Sequence, residues 1–206
     1  MDLELARLPV QERYKLLIGL VIPRPIAWVS TWSENGVANC APFSFFNVIS
    51  EDPPLCILSF NHRSDGALKH TLKNIRRTGE FVVNLADEAN ANALHASSAE
   101  LPETESEFTK SGLTPTPAKM VQHPRIAEAA ASLECRLERR IEFGPERELV
   151  IAEILLIHAR DGIIDPKTKR ISGNYLPIGR LYAGRYCTTR QRFDLPGPLP
   201  GPCTTE

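Results

Sequence analysis

Residues 23–47 are the part of this sequence that most constrains its fold. The run opens with Pro-Arg-Pro, continues as an apolar segment over 26–31, and returns after Asn35-Gly36 as a second apolar segment. Asn-Gly between two strand-like runs is the strongest short-range hairpin signal, because a type I′ turn needs positive φ at both central residues. The run therefore predicts an antiparallel hairpin that leads into an aromatic patch at 42–47.

The rest of the chain mixes short apolar runs with segments of helical spacing. Strands are predicted at about 25–32, 37–41, 43–48, 55–60, 80–85, 133–138, 149–158 and 181–186. Helical patterns cover 12–20, 64–78, 87–97, 105–110 and 124–131, and Gly79 ends the second of them. We expect one mainly β domain with helical additions, a β-barrel, over residues 1–193, and a Pro/Gly-rich tail over 194–206.

Composition limits the compartment and the partners. The net charge is −1 and no long run carries one sign, so neither a nucleic acid nor a membrane surface is an expected partner. The five cysteines form no Cys-x-x-Cys pair, which favours reduced thiols in the cytoplasm over a disulfide framework or a zinc site. Prolines interrupt the longest apolar run, 16–30, so it is no membrane span.

Common catalytic signatures are absent from the sequence. It contains no Gly-x-Gly-x-x-Gly, no Gly-x-x-x-x-Gly-Lys-Ser/Thr, no Gly-x-Ser-x-Gly and no His-Glu-x-x-His. The five histidines lack metal-ligand spacing, so no metal site and no catalytic acid or base is assigned. A cofactor, if present, must be held by a barrel rather than by a helix-led phosphate loop.

Several strings occur in one order over most of the chain: PRPIAWVST at 23–31, Asn39 with APFSFFN at 41–47, DPP at 52–54, KHTLKNI at 69–75, TGEFVVN at 78–84, SEF and SGLT within 106–114, LEC at 133–135 and PIGRLYAGRY at 177–186. Together they resemble the flavin reductase-like, FMN-binding split-barrel family. The resemblance implies a split β-barrel, bound FMN, NAD(P)H as a co-substrate, and a homodimer that builds its site across the subunit interface.

For a flavin ring, the family resemblance points to the hairpin and the aromatic patch. Small Ala41 and rigid Pro42 let backbone approach a flat ring, and Phe45 offers a face for stacking. Ser30 and Thr31, at the end of the first strand, are expected to face the same cleft. The predicted ring-side residues are Ser30, Thr31, Asn39, Ala41, Pro42, Phe43, Ser44 and Phe45.

For the flavin phosphate, the expected ligands are Arg63, Ser64, Lys69 and Thr71. Arginine and lysine balance phosphate charge, and Ser64 would place donors at a helix N-terminus, which favours anions. The family usually has Lys-Asp-Thr where this chain has Lys69-His70-Thr71, so the role of His70 stays open.

Without the resemblance, the same residues have ordinary structural interpretations. The phenylalanines of 43–46 would be core or dimer-interface residues, and Asn39 would cap the hairpin. Arg63 and Lys69 would form a solvated helix face. His158 would be a hydrogen-bonded surface histidine at the end of a buried strand, although some related reductases place a histidine near the nicotinamide.

The leading functional hypothesis is an NAD(P)H:FMN oxidoreductase that supplies reduced flavin to a partner monooxygenase or another acceptor. A second is an FMN-bearing electron carrier resembling flavoredoxin, without direct NAD(P)H activity. A third is a non-enzymatic barrel that has lost tight flavin binding. The nicotinamide has no motif, and the segments 98–122 and 180–186 are candidates for its walls.

Overall fold

The computed structural model describes residues 1–63 and 65–195. Ser64 and residues 196–206, nearly all of the predicted tail, lie outside the described residues. Short 3-10 turns occupy Leu5–Arg7 and Glu88–Asn90, and the α-helices are α1 (Val10–Leu20), α2 (His70–Thr78), α3 (Ala91–Ala96) and α4 (Glu107–Ser111). None of the helices in these ranges has the length and apolar character needed to cross a membrane.

Seven strands build one antiparallel sheet in the order β2-β1-β5-β8-β9-β4-β3. They are β1 (Ala27–Trp32), β2 (Ala38–Phe43), β3 (Phe46–Glu51), β4 (Pro54–Asn61), β5 (Glu80–Leu85), β8 (Ala131–Glu142) and β9 (Arg147–Ala159). Two short pairs complete the fold: β6 (Pro115–Thr116) with β7 (Arg125–Ile126), and β10 (Gly179–Arg180) with β11 (Tyr186–Cys187).

The edge strands β2 and β3 are consecutive in the chain, with only Ser44 and Phe45 between them. Three Cα–Cα steps hold Phe43 and Phe46 within about 11 Å of each other. The sheet must therefore curl until its edges nearly meet, yet β2 and β3 do not pair in the described sheet. The result is an open barrel, and the split-barrel prediction is confirmed. The gap bridged by Ser44–Phe45 is called the seam below.

The barrel interior is filled from both sides of the seam. Phe43 of β2 meets Phe60 of β4 edge-on, with ring centroids 4.6 Å apart. From α2, Leu72 and Ile75 enter the same core, as their helical spacing predicted. This aromatic contact across the seam gives the open barrel a continuous core even though its backbone ladder is interrupted.

The β1–β2 hairpin is confirmed, but its turn is not of type I′. Gly36 has φ of 73°, whereas Asn35 is not among the residues with positive φ. The Ser33 amide donates to the Val37 carbonyl at 2.9 Å, and the Val37 amide donates to Ser33 Oγ at 3.0 Å. A longer turn that places only glycine in the left-handed region therefore joins the strands.

Four sequence-based boundaries are corrected by the structure. The predicted helix over 124–131 is wrong: Arg125–Ile126 is a strand that pairs with Pro115–Thr116, and the Ile126 amide donates to Asn84 Oδ1 at 2.9 Å. The second strand continues through Pro42 and Phe43. The second helix begins at His70, and its predicted cap, Ser64, lies outside the described residues. The predicted strand over 181–186 is instead a turn that joins β10 to β11.

The β10–β11 pair packs on the start of the Pro-Arg-Pro run. Arg24 and Arg180 exchange two backbone hydrogen bonds of 2.9 Å. A Cβ atom placed on Gly179 would lie only 2.8 Å from Pro23 Cβ, so the close approach requires glycine at this position. The two ends of the family-like pattern are thus in direct contact.

The Phe43–Phe60 contact yields a stability prediction. Replacing Phe60, which is fully buried, by alanine should lower the free energy of unfolding by about 3–5 kcal/mol, because it leaves a cavity behind the seam. Urea unfolding followed by circular dichroism measures the change. The same substitution at Phe193, which is 84% exposed, should change stability by no more than about 0.5 kcal/mol. Equal effects at the two positions would contradict this role for Phe60.

Candidate functional site

A buried polar network joins the hairpin to the first turn of α2. Asn39 Oδ1 accepts hydrogen bonds from Thr71 Oγ1 at 2.9 Å and from Thr31 Oγ1 at 3.3 Å. Asn74 Nδ2 donates to Thr31 Oγ1 at 3.0 Å. All four side chains are buried, so these bonds satisfy groups that would be costly to leave unpaired. The network fixes three of the predicted cofactor residues relative to one another.

Glu107, at the start of α4, closes the network from the outer edge of β2. Its Oε2 accepts from Asn39 Nδ2 at 3.0 Å and from the Cys40 amide at 3.3 Å. Burial raises the pKa of the Glu107 carboxyl, and the bonds that it accepts only partly oppose that rise. The sequence analysis recognised the SEF string but assigned no role to this glutamate; residues 103–111 are mostly polar and include two other glutamates, so no local signal distinguished it.

Pro42 marks where the outer edge of β2 becomes uncapped. The Ala38 carbonyl accepts from Ser106 Oγ at 2.5 Å, and the Cys40 amide donates to Glu107. The backbone polar groups of both residues therefore point away from β1. Alternation along an antiparallel strand then directs Pro42 outwards as well, where its missing N–H breaks no ladder bond. The backbone edge from Pro42 to Ser44 is therefore left to other ligands.

The predicted ring-side residues at the seam have different environments. Ala41 and Pro42 are half-buried on β2, whereas the Phe43 ring is in the core. The Phe45 ring lies between Tyr14, at 6.4 Å between centroids, and the Arg147 guanidinium, at 5.4 Å. One face of Phe45 thus already has a cation against it, and a flavin can contact Phe43 only through its backbone.

Arg24 is a buried cation that the sequence analysis did not assign to the site. Its guanidinium donates to the carbonyls of Ile18 at 2.6 Å and Leu181 at 2.9 Å, and its Nε donates to Ser44 Oγ at 3.4 Å. The bond to Ile18 satisfies a carbonyl of the last turn of α1. Burial lowers the pKa of Arg24 from its ordinary value. Arg24 therefore ties α1, the seam and the C-terminal segment together.

Two of the predicted phosphate residues, Arg63 and Lys69, form a cation cluster beside α2. Arg63 and Lys69 share the carboxylate of Glu100, at 4.0 and 3.5 Å. His70 Nε2 lies 3.4 Å from an Arg63 nitrogen. Burial is the main cause of a lowered pKa at His70, and the nearby cations add to it. Because Thr71 belongs to the buried network, the cluster is anchored to the same strand that carries residues 41–43.

Ser30 lies apart from this group. Its hydroxyl donates to the Pro124 carbonyl at 2.5 Å and accepts from Asn84 Nδ2 at 2.8 Å. Thr31, the next residue, instead contacts the network beside α2. Successive residues of a strand point to opposite faces, so the expectation that the two hydroxyls face one cleft is not met.

Two cavities lie outside the predicted residues. A cavity of about 410 Å³ beside the seam is lined mainly by apolar groups, including Pro25, Phe46 and Ile178. A shallower one of about 620 Å³ lies between α3 and α4. None of the predicted cofactor residues that the structure describes lines either cavity. The predicted residues on β2 and beside α2 therefore lie outside both of these cavities.

His158 has a structural partner. Its Nε2 contacts the buried carboxylate of Glu134, which also accepts the amides of Lys119 at 2.8 Å and Val121 at 3.1 Å. Burial would raise the pKa of Glu134, but these bonds outweigh it and the pKa is lowered. The pair thus anchors the loop at 119–121 to the sheet, in keeping with the structural interpretation of His158.

Comparison with known proteins supports the family and the fold. The model of the flavin reductase-like domain family matches residues 19–189. An uncharacterized protein of Aquifex aeolicus is 44% identical over 84% of this chain and 87% of its own length.

Two solved structures are similar over nearly the whole chain. The 2-nitrobenzoate 2-nitroreductase NbaA of Pseudomonas fluorescens has a TM-score of 0.89 and 35% identity, covering 97% of this chain and 98% of its own. Nitrilotriacetate monooxygenase component B from Bacillus cereus also has a TM-score of 0.89, with 33% identity over 95% of this chain and 98% of its own.

The opposite pKa shifts of two buried glutamates give a testable contrast in pH dependence. Because burial raises the pKa of Glu107, its contribution to stability is present below its unfolded pKa and is lost as pH rises through the folded pKa. The free energy of unfolding of the wild type, relative to Glu107→Gln, should therefore fall between about pH 3 and pH 7. Urea unfolding across this range measures it.

Glu148 is the matched control. Its burial would raise the pKa, but Arg76 and Arg140 (the latter at 3.0 Å) outweigh that effect and lower it. The contribution of Glu148 is present above its unfolded pKa and is lost as pH falls through the folded pKa. The stability of the wild type relative to Glu148→Gln should therefore rise over the same range. The same sign for both variants would contradict the assigned environments.

Proposed function

Because the chain belongs to the flavin reductase-like domain family, we propose that it binds FMN and transfers hydride to it from NAD(P)H. One observation carries the proposal at the level of residues. The hydrogen bond between Asn39 and Thr71 joins the strand with the uncapped edge at 42–44 to the helix beside the cation cluster. The proposed sites for the ring and for the phosphate of one elongated cofactor are thus joined by a buried hydrogen bond.

The phosphate is assigned to the cation cluster. The side chains of Arg63 and Lys69 are partly buried, and 26% and 28% of their surfaces stay exposed to solvent. Charge-assisted bonds from such groups are among the strongest that a phosphate accepts. Thr71 positions the turn that carries them, since its own hydroxyl donates to Asn39. Ser64 stays a proposed ligand outside the described residues.

The ring is assigned to the edge of β2. The Asn39 side chain is occupied by Glu107, Thr31 and Thr71, so its part is to hold the strand rather than to reach a ring. Alternation along β2 leaves the Pro42 carbonyl and the backbone of Ser44 for the ring edge, with small Ala41 allowing close approach. The proposed ring contacts are therefore mainly backbone contacts.

The chemistry at this site needs little from acid–base side chains. Bound FMN would accept a hydride from NAD(P)H and pass the electrons on. The role of the protein is to position the ring, balance the phosphate charge and leave one ring face open. The absence of an assigned catalytic dyad is therefore compatible with the proposal.

Two similar proteins suggest different acceptors for the electrons. One, at 33% identity, is a component of a monooxygenase, which supports delivery of reduced flavin to a partner enzyme. The other, at 35% identity, is a nitroreductase, which supports direct transfer to a nitroaromatic compound. Delivery of reduced flavin is the proposed function, and nitroreduction is the second candidate. We place either activity in the cytoplasm, where NAD(P)H is available.

A homodimer is part of the proposal, because large apolar groups are exposed on two elements near the seam. On the edge strand β3, Val48 and Ile49 are 54% and 48% exposed; on α1, Leu17 and Leu20 are 47% and 79% exposed. Apolar surface of this kind, together with a sheet edge, favours association with another chain. A partner subunit covering β3 would enclose the seam and narrow the open site.

An anaerobic assay tests the function. Wild-type protein with excess FMN should oxidise NADH or NADPH, seen as loss of absorbance of the nicotinamide. Lys69→Met should raise the KM for FMN by about tenfold, since it removes a charged phosphate ligand, while Lys167→Met should not change it. Both nucleotides, and 2-nitrobenzoate as an alternative acceptor, should be compared.

Each outcome of the assay has a definite meaning. Flavin binding without NAD(P)H oxidation would overturn the reductase in favour of an electron carrier. No flavin binding at all would leave a non-enzymatic barrel. Oxidation that depends on 2-nitrobenzoate and not on FMN turnover would favour the nitroreductase.

The dimer has its own test. Sedimentation velocity of the wild type should give the mass of two chains, and Val48→Asp should shift the protein towards one chain, because it places a charge in the proposed interface. Val10→Asp changes an exposed valine in the first turn of α1 and tests whether α1 contributes to the interface. A wild type that sediments as a single chain at micromolar concentration would contradict the proposal.

A further inference from the structure

Glu100 occupies the position where an anion is expected beside the cation cluster. It lies in the segment between α3 and α4, four residues after α3 ends. Its Oε1 is 3.5 Å from Lys69 Nζ, and its Oε2 is 4.0 Å from an Arg63 nitrogen. One carboxylate thus bridges both cations that we assign to the flavin phosphate.

The contacts of Glu100 are those of a replaceable ligand. Both distances are long for an ion pair, and the Glu100 side chain is 54% exposed. Exposed pairs of this kind contribute little to stability, since solvent and salt screen them. Glu100 can therefore swing into water without disturbing the core, which a phosphate entering the cluster would require.

The other acidic groups near the cluster have different partners. Asp65 contacts Arg63 at 3.7 Å and accepts the Ala67 amide at 2.9 Å, and Glu103 pairs with Lys73 at 2.7 Å. His70 lies among these charges. Besides burial, Arg63 and Lys73 lower its pKa, and Glu103 and Glu100 raise it. Among the described residues, Glu100 is the carboxylate that contacts both Arg63 and Lys69.

We propose that Glu100 is a built-in competitor for the phosphate group of the flavin. The inference rests on the proposed function, since it assumes that Arg63 and Lys69 bind that phosphate. A phosphate dianion carries more charge than one carboxylate and so displaces it, but part of the binding free energy is spent on separating Glu100 from its cations. The affinity for FMN is thereby held down, and FMN exchanges as a substrate rather than remaining as a permanently bound group.

The competition is tested by comparing FMN with riboflavin, which lacks the phosphate. Dissociation constants are measured by quenching of flavin fluorescence for the wild type and for Glu100→Gln. The variant should bind FMN about two- to fivefold more tightly, the size expected for one exposed ion pair, and should bind riboflavin as the wild type does. Because Glu100 is exposed, the substitution should leave stability within about 0.5 kcal/mol.

Glu103→Gln is the matched control, because it removes the same charge from the same segment at a residue that pairs with Lys73 instead. It should tighten FMN binding less than Glu100→Gln does. In a Lys69→Met background, the gain from Glu100→Gln should shrink, since one of the two cations it competes for is gone.

The results separate this inference from the proposed function. Wild-type FMN binding with no gain in Glu100→Gln, an equal gain in Glu103→Gln, or an equal gain for riboflavin would each overturn the competition while leaving flavin binding intact. If the wild type and Glu100→Gln both failed to bind FMN at any concentration tested, the proposed function and the inference would fail together.

Discussion

Two residues between β2 and β3 govern the architecture, because they connect strands that lie at opposite edges of one sheet. A link this short forces the sheet to curl, and the curl creates a seam that side chains must fill. Phe43 and Phe60 fill it from inside, and Arg24 braces it through Ser44 and the carbonyls of two distant segments. The aromatic patch in the sequence thus lies at the seam, where its side chains fill the gap between the two edge strands.

The same constraint shapes the candidate site. A closed barrel would pair the whole outer edge of β2, whereas the seam leaves that edge without a strand partner in the described sheet. Glu107 caps the first part of that edge, and Pro42 removes a donor from the next part. The buried bond between Asn39 and Thr71 then couples the edge to α2. Backbone at the edge and cations beside the helix are thereby held at a fixed separation, which suits a ligand with a flat ring and a charged end.

Local chemistry explains which sequence-based predictions succeeded. Gly79 ends α2 in the left-handed region, with φ of 70°, so this helix end was readable from the chain. The segment at 124–131 was misassigned because the pairing of Arg125–Ile126 with Pro115–Thr116 and the bond from the Ile126 amide to Asn84 outweigh its helical pattern. Asn35 misled for a similar reason, since the turn is satisfied by the Ser33 side chain rather than by two residues with positive φ.

By itself the sequence determined the class of fold, the hairpin, the family resemblance and the concentration of candidate residues at 39–45 and 63–71. These depend on periodicity, turn residues and short strings, all of which are local. Only the tertiary structure decided what each side chain faces. In the structure, Ser30 and Thr31 point to opposite faces of the sheet, and the Phe43 ring packs in the core. Glu100 and Glu107, from a segment distant in the chain, contact residues of the candidate site. Those placements depend on contacts between residues far apart in the chain, which no local pattern encodes.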